Sequence, residues 1–288
     1  MVIGACVMGS TAMAFGGWAA WVRYDLSRRD VAVSRNFYGT LRVMEGRTEG
    51  FGEYRQLVHG TIIHGFQLME PEKKRMAVGY YRNESGVARA IRALPEGPRR
   101  IGIIGLGTGA MAAHVRDGDV MRFYDIDPGV VVTARKYFTY LADAPGKVDV
   151  VMGDARLSME REQPQNYDVL AVDAFSGDAV PLHLLTVEAI DLYLKHLKQD
   201  GILALHVSNK FLDLPPVVER AAQLRGLSIV MTRDLDDHGT IASDWVLLAR
   251  SPTLLDSPVV RAIAVPIATR REWRPWTDDH VDLLRVLK

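Results

Sequence analysis

Glycines and carboxylates stand at the ends of four apolar segments, each of which predicts a buried β-strand. Gly105 opens a glycine-rich turn after the first segment, and Asp125 ends the second segment 20 residues later. Asp154 ends the third segment and Asp173 ends the fourth. Open α/β sheets bind ligands in the crevice outside the carboxyl ends of their strands. The sequence therefore predicts that a glycine turn and three carboxylates meet around one ligand.

The order of these residues restricts the kind of ligand. Glycine lets a ligand approach the backbone closely, and a carboxylate at the end of the second strand is placed to accept hydrogen bonds from ribose hydroxyls. A nicotinamide enzyme would use these two features but needs no further series of acids. A ligand with adenine, ribose and a positive sulfonium centre suits the series better. Asp127, directly before Pro128, is interpreted as a helix N-cap.

The elements that position these residues alternate between strands and helices, which predicts a doubly wound, mainly parallel sheet. Residues 35–82 alternate apolar and polar positions with frequent glycine, and they predict a small N-terminal β-hairpin domain. Residues 85–250 form the predicted Rossmann-like catalytic domain, and residues 251–288 a C-terminal extension. The predicted helices cover 85–94, the turn through 115, 130–141, 186–197 and 215–224.

The N-terminal segment 2–22 carries no charge and is long enough to span a bilayer. Trp18 and Trp21 lie near its end, and basic residues follow from Arg23 onwards, so the positive-inside rule places the rest of the chain in the cytoplasm. The sequence thus predicts a transmembrane helix within 1–23 and attachment to the inner membrane. A signal peptide and a buried helix of a soluble cytoplasmic protein are the alternatives.

Composition argues against several functional classes. Lys plus Arg and Asp plus Glu both number 35, whereas a nucleic-acid-binding protein is expected to carry a basic excess. The single Cys6 excludes a disulfide scaffold and a cysteine zinc site. His183 and His206 lack a metal-binding motif around them, so both are interpreted as structural, and no metal is expected.

The segments IIGLGTGAM, YDIDPGVV, GDAR and VDAFSGDAVPLHLLT follow one another in an order and spacing that resemble the spermidine synthase family of aminopropyltransferases. They are most similar to the branch that is fused to membrane segments. The resemblance covers roughly 37–250. It implies a class I S-adenosylmethionine-type, Rossmann-like fold, a small-molecule amine as acceptor and a homo-oligomer.

The resemblance also implies roles for individual residues. Asp125 corresponds to the family's ribose-binding Glu, the pair Asp154 and Ala155 to its adenine-contacting pair, and Asp173 to its catalytic Asp. In that family an amine attacks the carbon next to the sulfonium, methylthioadenosine leaves, and the carboxylate takes the amine's proton. The predicted catalytic residues are Asp173, Tyr81 and Ser176. The predicted donor-binding residues are Gly105, Gly107, Thr108, Gly109, Asp125, Ile126, Asp154, Ala155, His64 and Tyr80.

Two positions depart from the family pattern. Thr108 stands where the glycine turn normally holds an Asp that binds the aminopropyl ammonium of decarboxylated S-adenosylmethionine. Ser176 stands where the catalytic loop normally has a second Asp, and Asp178 follows two residues later. A hydroxyl at Thr108 accommodates a carboxylate that an Asp would repel. Both decarboxylated and intact S-adenosylmethionine therefore remain candidate donors.

Four hypotheses follow for the reaction. The first is aminopropyl transfer to a polyamine. The second uses intact S-adenosylmethionine, either by intramolecular cyclisation to an azetidine-2-carboxylate or by aminocarboxypropyl transfer. The third is methyl transfer on the same core fold, and the fourth is a nucleotide-binding or membrane-tethered sensor without catalysis.

Overall fold

The computed structural model describes residues 29–48, 52–60, 62–174, 181–234, 243–268 and 274–288. The predicted membrane segment within 1–23 and Ser176 lie outside these ranges. No helix within them is both long and apolar enough to cross a bilayer. The membrane prediction therefore stays a prediction.

The N-terminal residues form an antiparallel sheet, as the alternating pattern predicts. Its strands pair in chain order, so it is a meander of hairpins. They are β1 (Asp30–Asn36), β2 (Gly39–Thr48), β3 (Gly52–His59) and β4 (Ile62–Leu68). Leu41 and Val43 of β2 and Leu57 of β3 belong to the same hydrophobic core as the eight-stranded sheet described next. The N-terminal sheet is therefore packed against that larger sheet.

The described residues form a second sheet of eight strands, in the order β12-β10-β11-β9-β8-β5-β6-β7. Strands β9, β8, β5, β6 and β7 run parallel, whereas β11, β10 and β12 add antiparallel pairs at one edge. The strands are β5 (Arg100–Ile104), β6 (Val120–Asp125), β7 (Lys147–Met152), β8 (Tyr167–Val172), β9 (Leu197–His206), β10 (Ser228–Asp234), β11 (Ser243–Ala249) and β12 (Ala264–Val265). The prediction of a doubly wound, mainly parallel sheet is confirmed.

Helices cover both faces of the large sheet, because the side chains of a strand alternate between its faces. Ile103 of β5 packs with α1 and α2 on one face, and Ile104 packs with α4, α5 and α6 on the other. The described α-helices are α1 (Gly86–Ala93), α2 (Pro128–Tyr137), α3 (Tyr140–Asp143), α4 (Ala155–Arg161), α5 (Val187–His196), α6 (Pro215–Leu224) and α7 (Pro258–Arg261).

Local sequence signals account for the boundaries of several helices. The side chains of Ser85 and Thr186 accept hydrogen bonds from the first turns of α1 and α5, which satisfies amides that the helix leaves free. Asp127 caps α2 in the same way through the amide of Gly129, as predicted. The predictions for α1, α5 and α6 are confirmed to within one residue at each end.

Two helix predictions were wrong in detail. The glycine turn leads only into a short 3-10 segment, Ala110–His114, because Val115 is already extended and His114 Nε2 lies 2.6 Å from the carbonyl of Tyr81. The helix predicted over 130–141 is interrupted between α2 and α3. There Gln67 of β4 binds both the amide and the hydroxyl of Thr139, at 3.0 and 2.8 Å.

Candidate active site

The carboxyl ends of the five parallel strands form a row along one edge of the large sheet. In spatial order the row holds Asp154 after β7, Asp125 at the end of β6, Gly105 after β5, Asp173 after β8 and His206 at the end of β9. The chain winds from β5 to one side and from β8 to the other, so Gly105 and Asp173 flank the topological switch point. Such points are where open α/β sheets bind ligands.

Backbone hydrogen bonds between neighbouring strands continue past the strand ends. The amide of Asp173 donates to Ile104 at 2.8 Å, that of Gly105 to Tyr124 at 2.8 Å, and that of Gly153 to Asp125 at 2.9 Å. These bonds connect the ends of β8, β5, β6 and β7 through the backbone, which sets the relative positions of the residues that follow them.

Glycine is required at two positions of the turn. Gly105 has φ +101°, and a Cβ there would lie 2.3 Å from the carbonyl oxygen of Asp173. Gly107 has φ +53°, and a Cβ there would lie 2.4 Å from the carbonyl oxygen of His64. Both conformations favour glycine, and both contacts bring a neighbouring strand against the turn. The turn thus forms a close-fitting floor between β8 and β4.

A cleft with about 800 Å³ of empty space, counted to its open mouth, lies above this row. The N-terminal sheet closes one side of it through Tyr38, His59 and His64. Of the predicted site residues, eight line the cleft: Gly105, Gly107, Asp125, Ile126, Asp154, Ala155, Asp173 and His64. Those eight are brought together, although they come from two sheets and from segments far apart in the chain.

Asp125 is held by the backbone around it. Its carboxylate accepts hydrogen bonds from the amides of Leu106 and Asp127, each at 2.9 Å. Burial nevertheless raises the pKa of Asp125 to about 6, and these two bonds oppose the rise. Its neighbour Ile126 is 45% exposed and lines the same cleft, so a carboxylate and an apolar surface stand side by side, as a nucleoside requires.

Asp154 begins α4 and uses one carboxylate oxygen as its N-cap. This oxygen accepts from the amide of Leu157 at 2.9 Å, while the other oxygen lies 3.4 Å from His183 Nε2. Ala155 follows as a buried residue of the helix. Asp154 thus faces the cleft from a fixed position, with His183 beside it.

Asp173 is nearly buried and is bound at both carboxylate oxygens. Tyr81 donates its hydroxyl to Oδ2, and Nδ1 of His206 lies 2.6 Å from Oδ1. Burial, and then the neighbouring carboxylate, raise the pKa of Tyr81 well above its usual range, so the phenol stays protonated and acts as a donor. An ionised carboxylate has about four lone-pair sites. Asp173 can therefore accept a further hydrogen bond from a ligand in the cleft.

Two polar atoms near the glycine turn find no hydrogen-bond partner among the described residues, Nε2 of His64 and Oγ1 of Thr108. Burial lowers the pKa of His64 to about 4, with a further contribution from His59, so its ring is neutral. Buried polar groups are normally satisfied. Thr108 is fully buried against Gly65 and does not line the cleft itself, in contrast to Gly107 before it.

The other predicted residues take different places. Tyr80 lies with its ring 5.3 Å from the ring of His206, and Gly109 begins the 3-10 segment with φ 81°. The prediction for Ser176 falls outside the described residues. In the described part of the chain, no group of three or more His, Cys, Asp or Glu side chains is arranged to hold a metal ion.

Sequence reasoning missed four residues of this region: Tyr38, His59, His183 and His206. The lack of a metal-binding motif predicts structural roles for His183 and His206, but His183 lines the cleft and His206 contacts Asp173. The position of His206 at the end of the fifth parallel strand was the available signal. Tyr38 and His59 come from the hairpin sheet, whose contact with the cleft is not encoded in a motif.

Together, the doubly wound sheet, the glycine turn and the carboxylates at the strand ends define a Rossmann-like α/β fold of the methyltransferase type, with an added N-terminal antiparallel sheet. The family model described as the spermine/spermidine synthase domain matches residues 87–231. This match covers just over half of the chain. The chain belongs to this family.

The chain is also similar to individual curated proteins. The chain is 31% identical over 157 residues to a polyamine aminopropyltransferase of Vibrio vulnificus, covering 53% of this chain and 50% of that protein. It is 35% identical over 109 residues to an N-terminal histidine N-methyltransferase of Emericella nidulans, covering 36% of this chain and 18% of that protein. The chain thus spans half or less of the length of these curated relatives.

A solved structure has the same fold. The spermidine synthase of Thermotoga maritima superposes with a TM-score of 0.59 over 87% of this chain and 82% of that one. Its sequence identity of 15% limits this likeness to the fold.

Proposed function

We propose that this protein is a spermidine-synthase-like transferase that uses an adenosyl sulfonium donor and releases methylthioadenosine. The observation that carries the proposal is the single cleft lined by Gly105, Asp125, Asp154 and Asp173. In the proposed reaction an amine nitrogen forms a bond to the carbon next to the sulfonium. The carbon–sulfur bond breaks, and its electron pair stays on sulfur.

The donor is assigned to the Asp125 side of the cleft. Asp125 accepts hydrogen bonds from the ribose, and Ile126 provides an apolar surface for the adenine. Asp154 and Ala155 lie next to them at the start of α4, where a backbone amide and a carboxylate can read the edge of the base. The floor formed by Gly105 and Gly107 has no Cβ, so the donor can approach the backbone closely.

Asp173 is assigned as the base. An amine attacks only in its neutral form, so a carboxylate that removes its proton and holds it in line lowers the barrier. Tyr81 supports this role because its hydroxyl fixes one carboxylate oxygen. Ser176 and Tyr80 keep their proposed roles in catalysis and in donor binding, and the acceptor is proposed to be a small amine.

A second candidate function uses intact S-adenosylmethionine, by cyclisation of its own amine or by aminocarboxypropyl transfer. The absence of a carboxylate at Thr108 and the neutral ring of His64 in the cleft favour it, since neither side chain would repel the donor's carboxylate as an Asp would. An Asp at the position of Thr108 would instead favour the bare aminopropyl ammonium of the decarboxylated donor. His64 lines the cleft directly, and Thr108 adjoins the floor residue Gly107.

The test incubates the full chain with each donor separately, with and without a panel of diamines and triamines, and measures the released nucleoside by mass spectrometry. Methylthioadenosine that depends on decarboxylated donor and amine supports the first candidate. Methylthioadenosine from intact donor without any acceptor supports the second. S-adenosylhomocysteine indicates methyl transfer, to which the histidine N-methyltransferase relative draws attention. Tight donor binding without any product would refute catalysis and leave a sensor domain.

The homo-oligomer is a proposal that rests on the resemblance, whereas membrane attachment rests on the uncharged segment 2–22 as well. We expect a homo-oligomer, and we retain the membrane-fused branch and inner-membrane attachment through 2–22 as hypotheses. Detergent-dependent extraction of the full chain, compared with a variant lacking 2–22, tests attachment. Analytical ultracentrifugation of the extracted protein tests oligomerisation.

A further inference from the structure

His206 lies at the end of β9, where its side chain is buried. The residue is 6% exposed, and its ring stacks on that of Trp245 with 4.6 Å between centroids and 14° between planes. The ring of Tyr80, in the segment Gly79–Tyr81 after β4, packs against the ring of His206. A ring held by stacking has little freedom to turn, so its two nitrogens point in fixed directions.

Each of those nitrogens faces a polar partner. Nδ1 lies 2.6 Å from Asp173 Oδ1, and Nε2 lies 2.9 Å from Ser208 Oγ. Ser208 Oγ in turn accepts a hydrogen bond from the amide of Asp244 at 2.7 Å. A hydroxyl both accepts and donates, so Oγ can accept this bond and also donate its own proton to Nε2. An ionised carboxylate only accepts, which requires the imidazole proton to be on Nδ1.

We propose that His206 is a positioning residue for Asp173: its Nδ1–H and the Tyr81 hydroxyl bind opposite carboxylate oxygens and hold the base ionised and in one orientation. Ser208 can donate its hydroxyl to Nε2, which is compatible with the ring tautomer that this requires. The inference rests on the proposed role of Asp173 as the base. His206 touches Asp173 and does not line the cleft, so it acts through the carboxylate and not on the substrate.

A purely structural explanation would make the pair a link between the ends of β8 and β9. That link already exists in the backbone, since Leu205 pairs with Val172 in the parallel ladder. The side chains are 5% and 7% exposed, and a buried carboxylate is costly unless its oxygens are bound. The hydrogen bonds to Asp173 therefore matter most for the state of the carboxylate itself.

The kinetic test compares His206→Ala with His206→Asn in the full chain. The Asn side chain places an N–H donor close to the position of Nδ1, so it restores the bond to Asp173 without a titrating ring. We expect Ala to lower kcat about 100-fold, within the range of general-base effects, with donor KM changed less than about threefold. We expect Asn to recover most of kcat.

The pH profile gives a second readout that a structural link would not move. Among the described residues, the titratable side chains facing the pair include Tyr80, Tyr81 and His64, and all three remain in both variants. Without a hydrogen-bond donor at Oδ1 the ionised form of the Asp173 carboxylate is less stabilised. We therefore expect the acidic limb of the kcat profile to move to higher pH in His206→Ala and to return to its wild-type position in His206→Asn. Asn as impaired as Ala, or an unchanged profile, would overturn the proposal.

The matched control is His196→Asn. His196 is also buried, but its Nε2 lies 2.9 Å from the carbonyl of Met159, away from Asp173. We expect this change to lower the melting temperature without moving the acidic limb. A shift of the limb in the control as large as in His206→Ala would mean that the profile reports general loosening, which would also overturn the proposal.

A measurement without turnover separates this inference from the proposed function. If neither donor yields product, the transferase function fails, while nitrogen-15 NMR of the imidazole still decides the contact. We expect the imidazole of His206 to carry its proton on Nδ1 in the wild type. In Asp173→Asn we expect this proton to move to Nε2 or to exchange between the two ring nitrogens. A proton on Nε2 alone, or identical spectra in the two proteins, would refute the positioning role.

Discussion

The two halves of the cleft are built differently. On the donor half, Asp125 and Asp154 are held by amides within three residues of themselves or by the adjoining glycine turn. On the Asp173 half, the carboxylate is held by side chains that come from positions 81 and 206. The donor half is thus a property of strand ends, whereas the Asp173 half depends on the packing of distant segments.

This difference has a functional consequence. Local backbone contacts form wherever the sheet forms, so substitutions in the donor half should change ligand affinity and leave the chemical step intact. Contacts from distant segments set the orientation of one reacting group, so changes near Asp173 should act on kcat. Five predictions test this separation, in order of decreasing effect.

The largest effect is expected for Asp173→Asn. An amide cannot take the amine's proton, so we expect kcat to fall about 1,000-fold, within the range for general-base catalysis. Donor affinity, measured by calorimetry, should stay within about twofold because the donor half keeps its contacts. The control is Asp191→Asn, which alters an exposed carboxylate paired with Arg225. Loss of donor binding in Asp173→Asn would show that the halves are not separate.

Gly105→Ala should damage both halves, because Gly105 is where they meet. The new Cβ would stand 2.3 Å from the Asp173 carbonyl oxygen in a left-handed conformation. We expect unfolding free energy to fall by about 2–4 kcal/mol from crowding and backbone strain, together with weaker donor binding. Gly97→Ala is the matched control, since Gly97 has φ +123° but meets no described atom within 4 Å. If urea unfolding showed the same loss of unfolding free energy in Gly105→Ala and Gly97→Ala, the close contact between Gly105 and the Asp173 carbonyl would be contradicted.

Asp125→Asn should act mainly on affinity. A hydrogen bond to a charged group contributes about 1.5 kcal/mol, so we expect donor KM to rise about tenfold with kcat within about threefold. Steady-state kinetics with varied donor provide the measurement. A fall in kcat without a change in KM would reverse the assignment of Asp125 to the donor half.

The same carboxylate predicts opposite responses of binding and stability to pH. Burial raises its pKa from 3.8 to about 6. The stabilisation by its protonated form is present below 3.8 and is lost as the pH rises through about 6. Donor affinity, which requires the ionised form, should instead fall as the pH drops below about 6. Asp125→Asn should flatten both dependences, measured by calorimetry and by thermal unfolding across pH 4–8.

The smallest effect is expected for Asp278→Asn. Asp278 binds Arg156 of α4 through two hydrogen bonds of 2.7 and 2.8 Å, and this contact lowers its pKa to about 2. Its contribution to stability is present above the ordinary value of 3.8 and is lost as the pH falls through about 2. Because the pair is partly exposed, we expect a loss of less than about 1 kcal/mol. An increase in donor KM would show that the C-terminal segment supports Asp154, so the donor half would not be held locally.

Much of the donor half was predictable from the sequence. Gly105, Asp125 and Asp154 were assigned from apolar strands that end in a glycine or an acid, and all three line the cleft. The prediction for Thr108 was less complete. Its place in the turn was clear, but its side chain packs against Gly65 of β4, and only the position of the N-terminal sheet decides which way it faces.

On the Asp173 half, the sequence predicted the reacting residues but not the contacts that hold Asp173. Asp173 and Tyr81 were both identified as candidate catalytic residues, but no pattern linked them to each other. His206 had been interpreted as structural, because a single histidine without a partner motif gives no sign of what it contacts. Similarly, the break in the helix at Thr139 depends on Gln67, which lies 72 residues earlier.

The sequence by itself determined the alternation of elements and therefore the row of functional groups at the strand ends. The periodicity of a strand and the residue preferences of a turn involve only a few consecutive residues, so both can be recognised from the local sequence. Only the tertiary structure decided how Asp173 is bound and which walls close the cleft. Those features depend on contacts between segments more than 30 residues apart. Such contacts form when the two faces of the sheet bury their apolar side chains together, and no local pattern specifies which side chains then meet.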